Sequence, residues 1–247
     1  MTVGGAPADK AARLVAPDEP VAVLGPPPRF VGRGGEKLDA ALAAFAIDVT
    51  DAVVLDAGAS TGGFTDALLQ RRASRVIALD VGHGQLDARL RADPRVDVRE
   101  RTNVRHLTGP DDLGGPVDLV TADLSFISLR TVLPALMAVA RPGADLVLLV
   151  KPQFEAGRRE VSRGRGVVVD PAVWRRVLEE VDGALVAHGA VIMGVMVSPI
   201  TGADGNVEFL LWARAPGATD VTDAAPVAPP VDLDAVVAQV AARREGA

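Results

Sequence analysis

Short strand-like segments, most of them apolar, recur along this chain, and each is separated from the next by a stretch of helical character. They occupy residues 52–56, 75–80, 96–100, 117–122 and 144–151, and an Ala- and Leu-rich helix over 36–46 precedes the first. Apolar runs of this length predict strands buried on both faces, and their alternation with helices predicts a parallel sheet. A long helix follows over 171–188, and then two more apolar runs, 190–198 and 206–214. The seven residues between them, PITGADG, are too few for a helical crossover, so these last strands pair as an antiparallel hairpin. The fold expected is α/β: a Rossmann-like, mostly parallel seven-stranded sheet with a terminal antiparallel hairpin and helices on both faces.

The remaining segments are thinner. Residues 1–24 hold two apolar scraps around a charged stretch, too little for a domain, and 25–32 open on the turn-rich GPPP and read as a linker. The main α/β domain is expected over 33–214. Residues 215–230 are rich in Pro, Ala and Asp, a linker to a last helix near 231–244.

The segment AVVLDAGASTGGFT, residues 52–65, carries the most chemical information. A buried strand ends in Asp56, and Gly58, Gly62 and Gly63 then let the backbone turn tightly and approach a ligand. The next strand ends in a second acid, Asp80, at the offset where Rossmann-like folds set a carboxylate on ribose hydroxyls. A nicotinamide dinucleotide needs G-x-G-x-x-G for its pyrophosphate. This loop is G-A-S-T-G-G and begins with an acid, which repels phosphate and suits an ammonium group. S-adenosylmethionine (SAM) is the cofactor expected, although Ser60 stands where the usual D-x-G-x-G-x-G pattern has its middle glycine. A structural strand-to-helix turn would use the same glycines. Five parallel strands followed by an antiparallel hairpin is also the layout of SAM-dependent methyltransferases. The cofactor-facing set expected is Asp56, Gly58, Ser60, Thr61, Gly62, Gly63, Phe64, Asp80, Val81 and Asp123.

Composition narrows the chemistry. With no cysteine and only three histidines in 247 residues, thiolate nucleophiles and disulfides are excluded and no metal site is expected. No apolar stretch reaches the ~20 residues that cross a bilayer, and the start lacks a signal peptide, so no membrane partner is expected and the compartment is read as the cytoplasm. The net charge of −6 has the wrong sign for indiscriminate nucleic-acid binding, so an RNA partner would need a local basic patch.

Methylation at C5 of a pyrimidine requires a cysteine, and exocyclic amines are commonly gripped by N/D-P-P-F/Y where this chain has Asp123-Leu-Ser-Phe. An oxygen acceptor remains, a weak nucleophile that needs a base or a positioned partner. Of 26 basic residues only Lys10, Lys37 and Lys151 are lysine. Lysine can give up its proton where arginine cannot. Lys151 lies at the carboxyl end of the fifth strand, in LVLLVKPQFE, and Asp123 at the end of the fourth, at the edge where open α/β sheets bind ligands. Glu208 enters the final strand and Lys37 opens the first helix. Each alone reads first as a snorkelling or salt-bridged charge, but all four together at expected cleft positions are harder to dismiss.

The blocks RGGEKLDAAL, DAGASTGGFTDALL, ALDVGHGQL, ERTNVR, ADLSFISL, LVKPQFE and GNVEFLLW closely resemble, in order, those of the TlyA (haemolysin A) family of rRNA ribose 2′-O-methyltransferases, related to FtsJ-type enzymes. The resemblance implies a Lys-Asp-Lys-Glu tetrad of Lys37, Asp123, Lys151 and Glu208, and a substrate that is the 2′-hydroxyl of a cytidine in ribosomal RNA. In that scheme Lys151 is the base or hydroxyl orienter, Asp123 and Glu208 set its protonation and geometry, and Lys37 is a second cation on ribose or phosphate. The ERTNVR block implies that Arg101 and Asn103 line an adenine pocket. Family members normally begin with an S-four-type RNA-binding domain, of which only the final strands are expected in 1–24.

RNA-facing candidates are Arg29, Arg33 and the run GRREVSRGRG with Arg158, Arg159, Arg163 and Arg165, which reads either as a mobile arm on phosphate or as a solvated loop. Phe126 and Phe154 could stack a flipped base, but an aromatic residue in such a place reads first as core. A monomer is expected. The competing readings are a pore-forming haemolysin, a non-catalytic SAM-binding ribosome-assembly factor, and an O-methyltransferase of small molecules.

Overall fold

A computed structural model describes residues 1–8, 13–22, 28–157, 161, 166–217 and 231–245. Near the start, β1 (Thr2–Val3), β2 (Ala6–Pro7) and β3 (Val21–Ala22) make a small antiparallel sheet in the order β2-β1-β3, with Val3 buried. The main unit then runs α1 (Gly34–Ala44), β4 (Val53–Ala57), α2 (Gly63–Gln70), β5 (Arg75–Leu79), α3 (Ala88–Arg91), β6 (Val96–Arg99), β7 (Val117–Ala122), α4 (Leu129–Val139) and β8 (Ala140–Val150). It continues with α5 (Pro152–Glu155), α6 (Pro171–Ala187), β9 (Val191–Val197) and β10 (Phe209–Arg214), and α7 (Leu233–Glu245) closes the described chain.

The seven-stranded sheet has the order β6-β5-β4-β7-β8-β10-β9. The pairs β4–β5, β5–β6, β4–β7 and β7–β8 are parallel, and β10 runs antiparallel to both β8 and β9. The alternating apolar pattern of each strand feeds two cores. Val54, Val147, Leu149 and Leu210 pack with Leu38, Leu42, Phe64 and Leu68 of α1 and α2. On the opposite face Leu55, Leu146, Leu148 and Phe209 pack with Leu133, Leu136, Trp174 and Val177 of α4 and α6. This two-sided burial is why the central strands are mostly apolar, whereas the edge strand β6, VDVR, alternates with charges.

Two features of the topology position the site. The chain order reverses around β4, with β5 on one side and β7 on the other, which opens a crevice at the carboxyl ends of those strands. The hairpin, in turn, is not simply appended at the edge: its second strand lies inside, between β8 and β9. Phe209 therefore pairs with Val150, and Glu208 arrives beside Lys151.

Candidate active site

Gly58 follows β4 at φ 87°, and a Cβ there would fall 2.4 Å from the Asp123 carbonyl oxygen. Only glycine allows the loops after β4 and β7 to approach this closely. Beyond it, Asp80 takes hydrogen bonds from the backbone N–H of Ser60 (2.8 Å) and of Gly82 (2.6 Å), one on each carboxylate oxygen. Each oxygen keeps a lone pair for a ligand. These loops enclose a cavity of about 510 Å³ whose lining includes Gly58, Ser60, Asp80, Val81, Asn103 and Asp123.

A second cavity of about 240 Å³ adjoins it and shares Gly58, Ser60 and Asp123. Thr61, Gly63 and Phe64 of the glycine loop line this second space, as does Arg33. So do Lys37, Asp123, Lys151 and Glu208, which come from four separate parts of the chain. They form two ion pairs: Lys151 Nζ lies 2.5 Å from Asp123 Oδ1, and Lys37 Nζ contacts Glu208 Oε2. Lys37, Lys151 and Glu208 are each more than nine-tenths buried. A buried polar group left without its partner costs several kcal/mol, so each member of a pair holds the other in place. The expectation that Glu208 acts on Lys151 is corrected here, because Glu208 engages Lys37 and Asp123 alone of the two acids holds Lys151. The reason is the register of β10, which aims Glu208 across the sheet toward α1.

Asp56 lines neither cavity. It is fully buried inside β4, accepting a hydrogen bond from Thr65 Oγ1 (2.6 Å) with Thr121 Oγ1 at 3.4 Å. Burial pushes its carboxyl up to about 7, against the hydrogen bond from Thr65, and the nearby Asp123 charge adds to the rise. The link to Thr65 ties the strand to the first turn of α2. Gly62, at φ 101°, also lies beneath the loop, where a Cβ would sit 2.2 Å from Leu90 Cδ1.

The aromatic pair departs from a core reading. Phe126 is 91% exposed at φ 65°, with its ring centroid 5.1 Å from that of the half-buried Phe154. Of the arginines, Arg33 faces the second cavity, whereas Arg29 is turned to Asp39 (2.5 Å) and stacks on Phe30. Arg158, Arg159, Arg163 and Arg165 lie outside the described residues. Asn103 lines the larger cavity and Arg101, at φ 54°, does not. Among the described residues no cluster of His, Cys, Asp and Glu could hold a metal ion, and no helix is long and apolar enough to cross a membrane.

Four residues of the site were not singled out from sequence. Ser125 Oγ accepts a hydrogen bond from Lys151 Nζ (3.1 Å). The buried Glu155 accepts from Leu129 N–H (2.6 Å) and Ser128 Oγ (2.5 Å), bolting the loop after β7 to the segment after Lys151. Gly202 has room for no side chain against Glu208. Asn206 accepts from Val168 N–H and donates to the Gly166 carbonyl, tying residues 166–168 to the approach to Glu208. Three are small or polar residues in loops and Glu155 ends the short helix α5, and only the family blocks DLSF, KPQFE and GNVEF pointed near them.

The profile of the FtsJ-like methyltransferase family matches residues 30–215. The 16S/23S rRNA (cytidine-2′-O)-methyltransferase TlyA of Mycobacterium tuberculosis is 53% identical over 215 residues, 87% of this chain and 80% of that one. A crystal structure of a provisionally named hemolysin from Lactococcus lactis superposes with a TM-score of 0.78 at 39% identity, covering 86% of this chain and 99% of that one. An S-adenosylmethionine dependent methyltransferase from Mesorhizobium loti, 19% identical, shares the fold with a TM-score of 0.52 over 71% of this chain and 96% of that one.

Proposed function

The chain belongs to the FtsJ-like methyltransferase family, and from that premise we propose that it methylates the ribose 2′-hydroxyl of cytidine in ribosomal RNA, with SAM as methyl donor. The observation that carries this reading is the convergence of Lys37, Asp123, Lys151 and Glu208, three of them buried, on one cavity that shares a wall with a nucleoside-sized one.

The residues of the larger cavity fit an adenosyl group. Asp80 presents two carboxylate oxygens to ribose hydroxyls, Val81 and Leu79 offer apolar surface, and Asn103 a polar edge. Asp123, at the boundary, is the acid nearest both spaces and suits a cationic neighbour. When bound, SAM supplies an already activated methyl on its sulfonium. The protein's task is then alignment and proton management, of which alignment alone can lower a barrier by ~7–11 kcal/mol.

Lys151 is the group that holds or takes the 2′-hydroxyl proton, and Asp123 fixes its amine. Lys37, held by Glu208, is the second cation of the acceptor cavity. Arg33, which faces the same cavity, meets a phosphate beside the target ribose. Phe126, which lines the larger cavity and is exposed with a backbone angle that costs ~1–3 kcal/mol, offers an aromatic face to the displaced base.

Nucleoside mass spectrometry of unmodified ribosomal subunits, separately and joined, after incubation with the protein and SAM tests the reading. The expected product is 2′-O-methylcytidine; methylation confined to bases refutes it.

A further inference from the structure

Ser125 has no part in the scheme above, yet it is the second partner of the Lys151 amine. Lys151 Nζ lies 2.5 Å from Asp123 Oδ1 and donates to Ser125 Oγ at 3.1 Å, and Lys151 itself is 8% exposed. Ser125 lines the larger cavity, Lys151 the smaller one, and Asp123 both, so the three groups stand on the boundary between them. We propose that Ser125 is a positioning residue for methyl transfer: its hydroxyl, with the Asp123 carboxylate, fixes the rotation of the Lys151 amine so that its remaining valence serves the acceptor hydroxyl. This rests on the 2′-O-methylation reading.

The valence of the nitrogen sets this requirement. To take the hydroxyl proton the amine must be neutral, with two N–H bonds and one lone pair. Asp123 Oδ1 and Ser125 Oγ accept the two N–H bonds, and the lone pair is then the only free position on a nitrogen that lines the acceptor cavity. With Asp123 as sole partner, the amine turns about its Cε–Nζ bond and the lone pair has no fixed direction. Arginine offers no lone pair at all, so the arrangement requires lysine.

The loop that carries Ser125 is held as this role requires. Directly after it, Phe126 adopts φ 65°, a strained angle for a residue with a side chain. The far end of the loop is bolted by Glu155, which accepts hydrogen bonds from Ser128 Oγ and Leu129 N–H and is 6% exposed. Glu155 lies four residues after Lys151, in the short helix α5 that Lys151 precedes. One buried acid thus fixes the serine loop relative to the lysine's own segment. Ser125 itself is exposed, so truncating it opens no cavity in the core.

The test compares wild type, Ser125→Ala and Ser125→Thr on unmodified ribosomal subunits, with SAM affinity by calorimetry and product identity by nucleoside mass spectrometry. Ser125→Ala is expected to lower kcat by about 10–100-fold, the scale of a misplaced reacting group, with KM for RNA and SAM affinity held within about 2-fold. Ser125→Thr, which keeps the hydroxyl, is expected to recover most of the lost rate. Wild-type kcat in Ser125→Ala, a loss confined to SAM affinity, or a threonine variant no better than alanine would each overturn the role of Ser125 alone. A wild-type product other than 2′-O-methylribose would overturn the proposed function and this role with it.

Discussion

The two cavities share Gly58, Ser60 and Asp123 and nevertheless differ in kind. The larger lies between loops, and its own carboxylate, Asp80, is held by two backbone amides, with the shared Asp123 at the boundary as its second acid. The smaller is walled by two lysines and two acids drawn from α1, from the loops after β7 and β8, and from the entry to β10. A nucleoside needs shape and a pair of acceptors, which one loop system supplies. Orienting a weak nucleophile needs charges in fixed relation, and these come only from distant segments that the sheet brings together. Damage to one cavity should therefore spare the function of the other.

The largest separation is expected at Lys151. Lys151→Ala and Lys151→Arg should both lower kcat by ~10²–10⁴-fold, since arginine cannot exchange the proton, while calorimetry finds SAM affinity unchanged. A fully active arginine variant would break the comparison. Asp80→Ala should do the reverse, weakening SAM binding by about 10–100-fold through loss of charged hydrogen bonds while the KM for RNA stays put. Arg33→Ala should raise the KM for RNA by about 3–10-fold and lower the salt slope of binding by about one phosphate contact. Arg29→Ala should leave that slope alone, because Arg29 is committed to Asp39 and Phe30.

The smallest effect concerns stability. Asp56, with its carboxyl raised from 3.8 to about 7, binds a proton more tightly folded than unfolded. Its folded form is therefore most favoured below the unfolded value, and that advantage is lost as pH rises through about 7. Asp56→Asn keeps an acceptor for Thr65 and removes the titration. Thermal melts near pH 5 and near pH 8 should differ less for the variant than for wild type, with the gain on the alkaline side.

Much of this architecture was legible in the chain. Four of the first five strands of the main sheet lie within a residue of the segments expected, while β8 begins at Ala140, four residues before its expected start, and the short connection between the last two strands forced a hairpin. The scarcity of lysine drew attention to Lys37 and Lys151, which do share one cavity. Illegible features lie where packing decides. Asp56 and Asp80 look alike as acids closing apolar runs, but β4 extends to Ala57 and pairs Asp56 with Ala78 and Thr121, whereas β5 stops at Leu79. One residue of register buries the first acid and frees the second. The division of the tetrad into Lys37–Glu208 and Lys151–Asp123 follows from β10 inserting beside β8, a strand order that no local pattern encodes. Phe126 defeats the rule that aromatics are core because its neighbours fix a strained turn, a tertiary constraint absent from the local sequence.

The account stands most directly on which atom receives the methyl. A ribose 2′-O-methyl removes the hydroxyl that alkali uses to cleave the adjacent phosphodiester, whereas a base methyl leaves it. Ribosomal RNA labelled by the protein from methyl-tritiated SAM and hydrolysed in alkali should release its label in alkali-resistant dinucleotides. Label recovered in mononucleotides would contradict the account.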